Sequence, residues 1–121
     1  MEIFVNIINV TPHTINFRTE KGEEFEIAPS GVVVAAVVVE EAAGFHASGA
    51  KLVRVRFVPD EASTIAIEKL EQEYPESIIV GSMIAAQGFP GRVVAMIAAQ
   101  GFERRPPAEK RMRPEKFTTF G

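Results

Sequence analysis

The sequence predicts an α+β domain built mainly on antiparallel β-sheet, with one or two short helices and an extended C-terminal arm. Three observations carry this. The branched aliphatics are skewed, with 14 Val and 11 Ile against two Leu in 121 residues; β-branched side chains lose χ1 freedom in helices and pack well on pleated sheets. Several short stretches alternate apolar and polar residues between turn signals, which is the pattern of half-buried strands. One run of helix formers, 61–74, lies between Asp60 and Pro75, a capping residue and a breaker.

Taken in order, residues 3–10 form the first expected strand, ended by Thr11-Pro12-His13. Residues 14–18 place Ile15 and Phe17 on one face, and 24–27 place Phe25 and Ile27 likewise. The turn at 20–23 makes these two an antiparallel hairpin. After Pro29-Ser30-Gly31, the run 32–39 is apolar on both faces and predicts a central buried strand. Residues 41–50 read as a surface loop. In 51–58, Val53, Val55 and Phe57 face one way and Arg54 and Arg56 the other; the valines and Phe57 are expected in the core. Glu24 and Glu26 are expected to pair with the two arginines across strands. Asp60 caps a helix over 61–74, with Ala66, Leu70 and Tyr74 at helical spacing as its apolar stripe. Residues 77–80 are a further β-branched run.

The heptapeptide Met-Ile-Ala-Ala-Gln-Gly-Phe occurs twice, at 83–89 and at 96–102. The two copies could be strands of one hairpin about Pro90-Gly91. That dipeptide suits a type II turn, however, and two-residue hairpins prefer primed turns. The flanks favour two different structures. Ser82 can cap a short helix over copy one, with Gly88 and Pro90 ending it. Copy two is entered through Arg92-Val93-Val94 and reads as extended.

Composition bounds the chemistry. The length fits one domain, here 1–102, followed by a Pro-containing arm, 103–121. No cysteine is present, so disulfides, thiolate metal sites and a cysteine nucleophile are excluded. The opening carries Glu2 and Asn6 instead of a basic stretch and does not read as a signal peptide. The longest apolar run, 32–39, is far too short to span a bilayer. An intracellular or virion location, with no membrane, is the expectation. The Val content and lack of Cys fit a thermophilic source.

No catalytic constellation stands out. His13 has no second His or Cys at ligand spacing. Its expected role is structural, holding a turn together with Thr11 and Pro12; His46 is read as exposed. Ser82 lies in Val-Gly-Ser-Met-Ile, which is not a G-x-S-x-G elbow. The glycines form neither a phosphate loop nor a dinucleotide fingerprint. The chain is therefore expected to be no enzyme and to need no cofactor or metal.

Charge is unevenly placed. Residues 1–102 carry a net −6 and residues 103–121 a net +3. The basic residues Arg104, Arg105, Lys110, Arg111, Arg113 and Lys116, with Phe117 and Phe120, are the candidate contact set. Three readings stay open for them. They form a solvated tail; they dock on the acidic body of a neighbouring subunit with the two phenylalanines as anchors; or they neutralise nucleic-acid phosphates. Expected partners are a second copy, a host or viral protein, or nucleic acid.

The segments Asn9-Val10-Thr11-Pro12-His13-Thr14-Ile15 and Ala28-Pro29-Ser30-Gly31, followed by Val80-Gly81-Ser82-Met83-Ile84-Ala85-Ala86-Gln87, resemble a family of small uncharacterised proteins of phages, prophages and archaeal viruses. That family shows an N-L-T-P-H start, a short hairpin, an I-P-P-S-G turn and a later V-A-Q segment. It ends with a strand closing on Gly-Phe, a place that 93–102 would take here. The resemblance implies a viral or mobile-element setting, and the family has no established activity to carry over. The chain departs from the pattern in having only 89–92 where the family has a longer Pro- and Gly-rich loop.

Overall fold

The computed structural model describes residues 6–121. The start of the first expected strand, and the opening read against a signal peptide, lie outside the described residues. In chain order the elements are β1 (Ile7–Asn9), β2 (Ile15–Arg18), β3 (Glu24–Ile27), β4 (Ala36–Phe45), β5 (Lys51–Pro59), α1 (Glu61–Glu73), β6 (Ile78–Gly81), α2 (Met83–Gly88), β7 (Val94–Ala98) and β8 (Met112–Thr118). The fold is α+β, but its main sheet is mixed, not mainly antiparallel. Six strands run in the order β1-β6-β7-β8-β2-β3. The β1/β6, β6/β7 and β2/β8 pairs are parallel, while β2/β3 and β7/β8 are antiparallel.

This sheet curls until its two edges meet. Asn9 on β1 donates from Nδ2 to the Ile27 carbonyl on β3 at 3.1 Å. Beyond β3 the chain runs along β1, with Ser30 N–H on the Asn9 carbonyl and Val34 N–H on the Val10 carbonyl. Every strand of the sheet sends side chains to one inner cluster. Ile15, Phe17 and Val80 are its centre, joined by Ile7, Phe25, Ile27, Ile78, Val94, Met96, Met112 and Phe117. The alternation of strands places their neighbours outside. Val10, Ile79, Val93 and Ala95 join Ile67 and Leu70 of α1 and Ala85 and Ala86 of α2 in a second cluster.

Both helices start where the sequence predicts. Asp60 Oδ1 accepts the Ala62 N–H at 2.8 Å and Ser82 Oγ the Ala85 N–H at 3.0 Å. The buried face of α1 is Ser63, Ile67 and Leu70. The expected stripe is thus rotated, and Tyr74 is 52% exposed. Copy one of the heptapeptide is α2 and copy two enters β7, as expected from their flanks.

The expected C-terminal arm is corrected. Residues 112–118 form β8, an inner strand between β7 and β2. Three prolines argued against this, and the sheet accommodates the buried Pro114 through an irregularity. Met96 pairs with Phe117 and Ala98 with Met112, so 113–116 face the single residue Ile97. An insertion of this kind removes ladder bonds locally, and proline is tolerated there. The chain therefore returns to the sheet beyond residue 102, and the strand at 94–98 is not the last.

Candidate functional site

Residues 32–39 and 51–58, expected in the core, instead build a projecting two-stranded hairpin. Among the described residues, its strands β4 and β5 pair only with each other. The expected loop at 41–50 is mostly strand, with β4 reaching Phe45. The base is anchored: the Ala35 N–H donates to Ser63 Oγ at 3.1 Å, and Gly88 of α2 sits against Ala36. A methyl group added at Gly88 would lie 2.4 Å from Ala36 Cβ, so only glycine allows this approach.

Opposed residues of an antiparallel pair share a face. One face therefore carries Val38 with Phe57, Glu40 with Val55, and Ala42 with Val53. The other carries Val39 with Arg56 and Glu41 with Arg54. The alternation read from 51–58 is right and the burial is not. Val38, Val53 and Val55 are 53%, 41% and 50% exposed. A strand buried on both faces needs sheet or helix layers on both sides, and beyond its base this ribbon has neither. At the tip, Ala43 and Gly44 bulge opposite Leu52, and Phe45 is 74% exposed. His46 organises the turn. Its Nδ1 accepts the Ser48 N–H at 3.1 Å, and its backbone N–H donates to the Ala50 carbonyl at 2.8 Å.

Arg54 and Arg56 do not meet Glu24 and Glu26. Arg56 pairs with Glu41 at 3.2 Å within the hairpin. Glu24 bridges Arg18 Nη1 at 2.7 Å and Arg111 Nε at 3.1 Å. These hydrogen bonds, from Arg18 first and Arg111 second, hold its carboxyl below the usual range. Arg92 is likewise held above its usual range by the Glu71 carboxylate.

The basic C-terminal set is largely occupied. Arg113 bonds Glu20 at 2.7 Å and Glu115 at 2.9 Å. Arg105 stacks over Phe102, 5.5 Å from its centroid, with Arg18 at 5.8 Å. Phe117 packs edge-on to Phe17 in the inner cluster, and Phe120 packs against the outer one. The two phenylalanines are packed against this chain's own clusters, each partly buried. Arg104 and Lys116 are exposed, and Lys110 lines a cavity at the start of β8.

The turn at Thr11, Pro12 and His13 is built around Asn9, which the sequence reading missed. Asn9 Nδ2 donates to the His13 carbonyl at 2.6 Å, and its Oδ1 accepts the Thr11 N–H at 2.9 Å and the Thr11 hydroxyl at 2.7 Å. The His13 backbone takes part, and His13 also lines the cavity. An asparagine followed two residues later by threonine was the available signal, since such side chains bond nearby backbone.

Among the described residues, no helix is long and apolar enough to cross a membrane. No protein family, no curated protein and no solved structure matches this chain.

Proposed function

We propose that this chain is a non-enzymatic accessory or structural protein acting through protein–protein contacts. Its first partner is a second copy of itself, met through the β4–β5 hairpin. The observation that carries this reading is the projecting ribbon, with exposed valines on one face and Phe45 at its tip. Natural proteins rarely leave long apolar edge strands open, because such edges template pairing with another chain.

Charge selects the geometry. Strand β4 contains Glu40 and Glu41 and no base; β5 contains Lys51, Arg54 and Arg56 and no acid. Pairing β4 with β4 or β5 with β5 brings like charges together, whereas β4 of one copy against β5 of the next brings unlike charges together. The Glu41–Arg56 pair inside the hairpin already uses this complementarity. Such association is head-to-tail and gives a ring or an open chain. The ribbon is ~30 Å long and ~10 Å wide at ordinary strand spacings. One face therefore falls short of the ~800 Å² that a stable interface buries on each partner, and the neighbour is expected to grip both faces and the tip.

The resemblance of the 9–15, 28–31 and 80–87 segments to phage and archaeal-virus proteins supports a role in a virus or mobile element. Nucleic-acid binding by 103–121 has less support, because Arg111 and Arg113 are held by carboxylates.

The cysteine-free chain makes the test clean. Ala42→Cys protein is mixed with Val53→Cys protein under mild oxidation. The expected result is a disulfide-linked dimer in the mixture and little in either variant alone. Equal cross-linking of each variant with itself contradicts head-to-tail pairing. No cross-linking in any sample contradicts hairpin association.

A further inference from the structure

We propose that the cavity at the carboxyl ends of β1, β6 and β7 binds a small amphipathic carboxylate, an apolar body carrying one anionic head. The strands run parallel there, so their ends deliver three chain segments to one place: the turn after β1, Ser82 after β6, and the loop after β7. The cavity has a volume of about 360 Å³, within the range of small-ligand sites.

Its chemistry is one-sided. Met96 and Met112 supply adaptable apolar lining, together with Ile15 and Pro107. Among the described residues, the ionisable groups on its wall are Lys110 and His13, and no Asp or Glu lines it. In a chain of net charge −3, a wall that carries cationic chemistry and no acid is selective for anions. A bare inorganic anion would leave the methionines unused, and a neutral apolar molecule would leave Lys110 unused.

The rim is held in place before any ligand arrives. The His13 carbonyl is fixed by Asn9 Nδ2 at 2.6 Å. This gives the buried Asn9 network a purpose beyond closing the sheet. The Lys110 carbonyl accepts from Arg111 Nη1 at 3.1 Å, which holds the backbone at that end of the cavity. The Lys110 ammonium has no ion pair among the described residues, unlike the charged groups of Arg111 and Arg113 beside it. Ser82 Oγ accepts the Ala85 N–H and keeps its own proton to donate. Preorganised polar groups around an apolar floor bind with little ordering cost.

The test is titration calorimetry of the full chain with octanoate, with octanol and inorganic phosphate as comparison probes. The variants are Lys110→Met, and Lys116→Met as a control on an exposed lysine of β8. Circular dichroism confirms the fold of each. The expected result is saturable octanoate binding to the wild type and Lys116→Met proteins, weakened at least tenfold in Lys110→Met. A second variant, Met96→Phe, should weaken octanoate by filling the cavity while leaving Lys110 in place. Absence of saturable octanoate binding overturns the proposal, as does equal affinity in Lys110→Met. Octanol or phosphate binding as tightly as octanoate overturns the assigned ligand class. The outcome is independent of hairpin association, because none of the lining residues belongs to β4 or β5.

Discussion

Strands β2 and β3 of the six-stranded sheet and β5 of the β4–β5 hairpin all alternate branched or aromatic residues with polar or charged ones, and reach opposite ends. In the sheet, Phe17 is fully buried, stacked on Phe25 at 5.3 Å, and the edges are joined through Asn9. In the hairpin, the equivalent alternation leaves Val55 half exposed and both edges without a further strand. Periodicity determines which residues share a face. Burial depends on whether another layer covers that face, and that layer comes from distant parts of the chain or from another molecule.

The largest test of this contrast is a pair of truncations read by urea denaturation. Phe17→Ala should lose about 3–5 kcal/mol, as deep aromatic truncations do. Val55→Ala should change the stability of the single chain by less than about 0.5 kcal/mol. Comparable losses at the two sites would mean the hairpin is buried in the folded protein under the conditions used.

The two heptapeptide copies sharpen the same lesson, since their local sequence is identical. Gly88 and Gly101 hold the same place in the repeat. Gly88→Ala should cost about 1–3 kcal/mol by overpacking against Ala36 at the hairpin base. Gly101 has open space but φ +88°, so Gly101→Ala should cost about 1–2 kcal/mol through backbone strain alone. Only Gly88→Ala should also disturb the hairpin amides in exchange experiments. Copy one depends on its cap as well. Ser82→Ala should lose about 1 kcal/mol, with no counterpart at Ala95, the residue preceding copy two.

The smallest expected effect is electrostatic and belongs to the sheet. Glu24 is held below its ordinary 4.5 by Arg18 and Arg111. Its contribution is therefore fully present above the unfolded value and is lost as pH falls through the lowered folded value. The pair is exposed to solvent, so the change is small. Glu24→Gln should lower stability slightly near neutrality, where the ion pairs act, and converge with the wild type as pH falls below about 4.5, so that its acid limb is flatter.

These contrasts also explain what the sequence could disclose. Local chemistry was legible: the Asp60 and Ser82 caps, the faces of 51–58, and the different fates of the two repeats all follow from neighbours a few residues away. Strand partners were not. Residues 32–39 are apolar on both faces whether covered by this chain or by a second one. The three prolines of 103–121 spoke against a strand, and only the irregularity opposite Ile97 allows β8. The candidate cavity joins His13, Ser82 and Lys110, which are far apart in sequence and individually unremarkable. The turn role of Asn9 lies two residues from Thr11 and is local, whereas its bond to β3 spans 18 residues and has no local signature.

The central claim is that the hairpin is an association device and not a decoration. Sedimentation equilibrium on the wild-type chain and on Val55→Asp measures it most directly. The expected result is a mass above that of the 13.2 kDa chain for the wild type, rising with concentration, and a folded single chain for Val55→Asp. A wild type that stays at the single-chain mass up to its solubility limit would contradict it, as would a Val55→Asp variant that associates equally well.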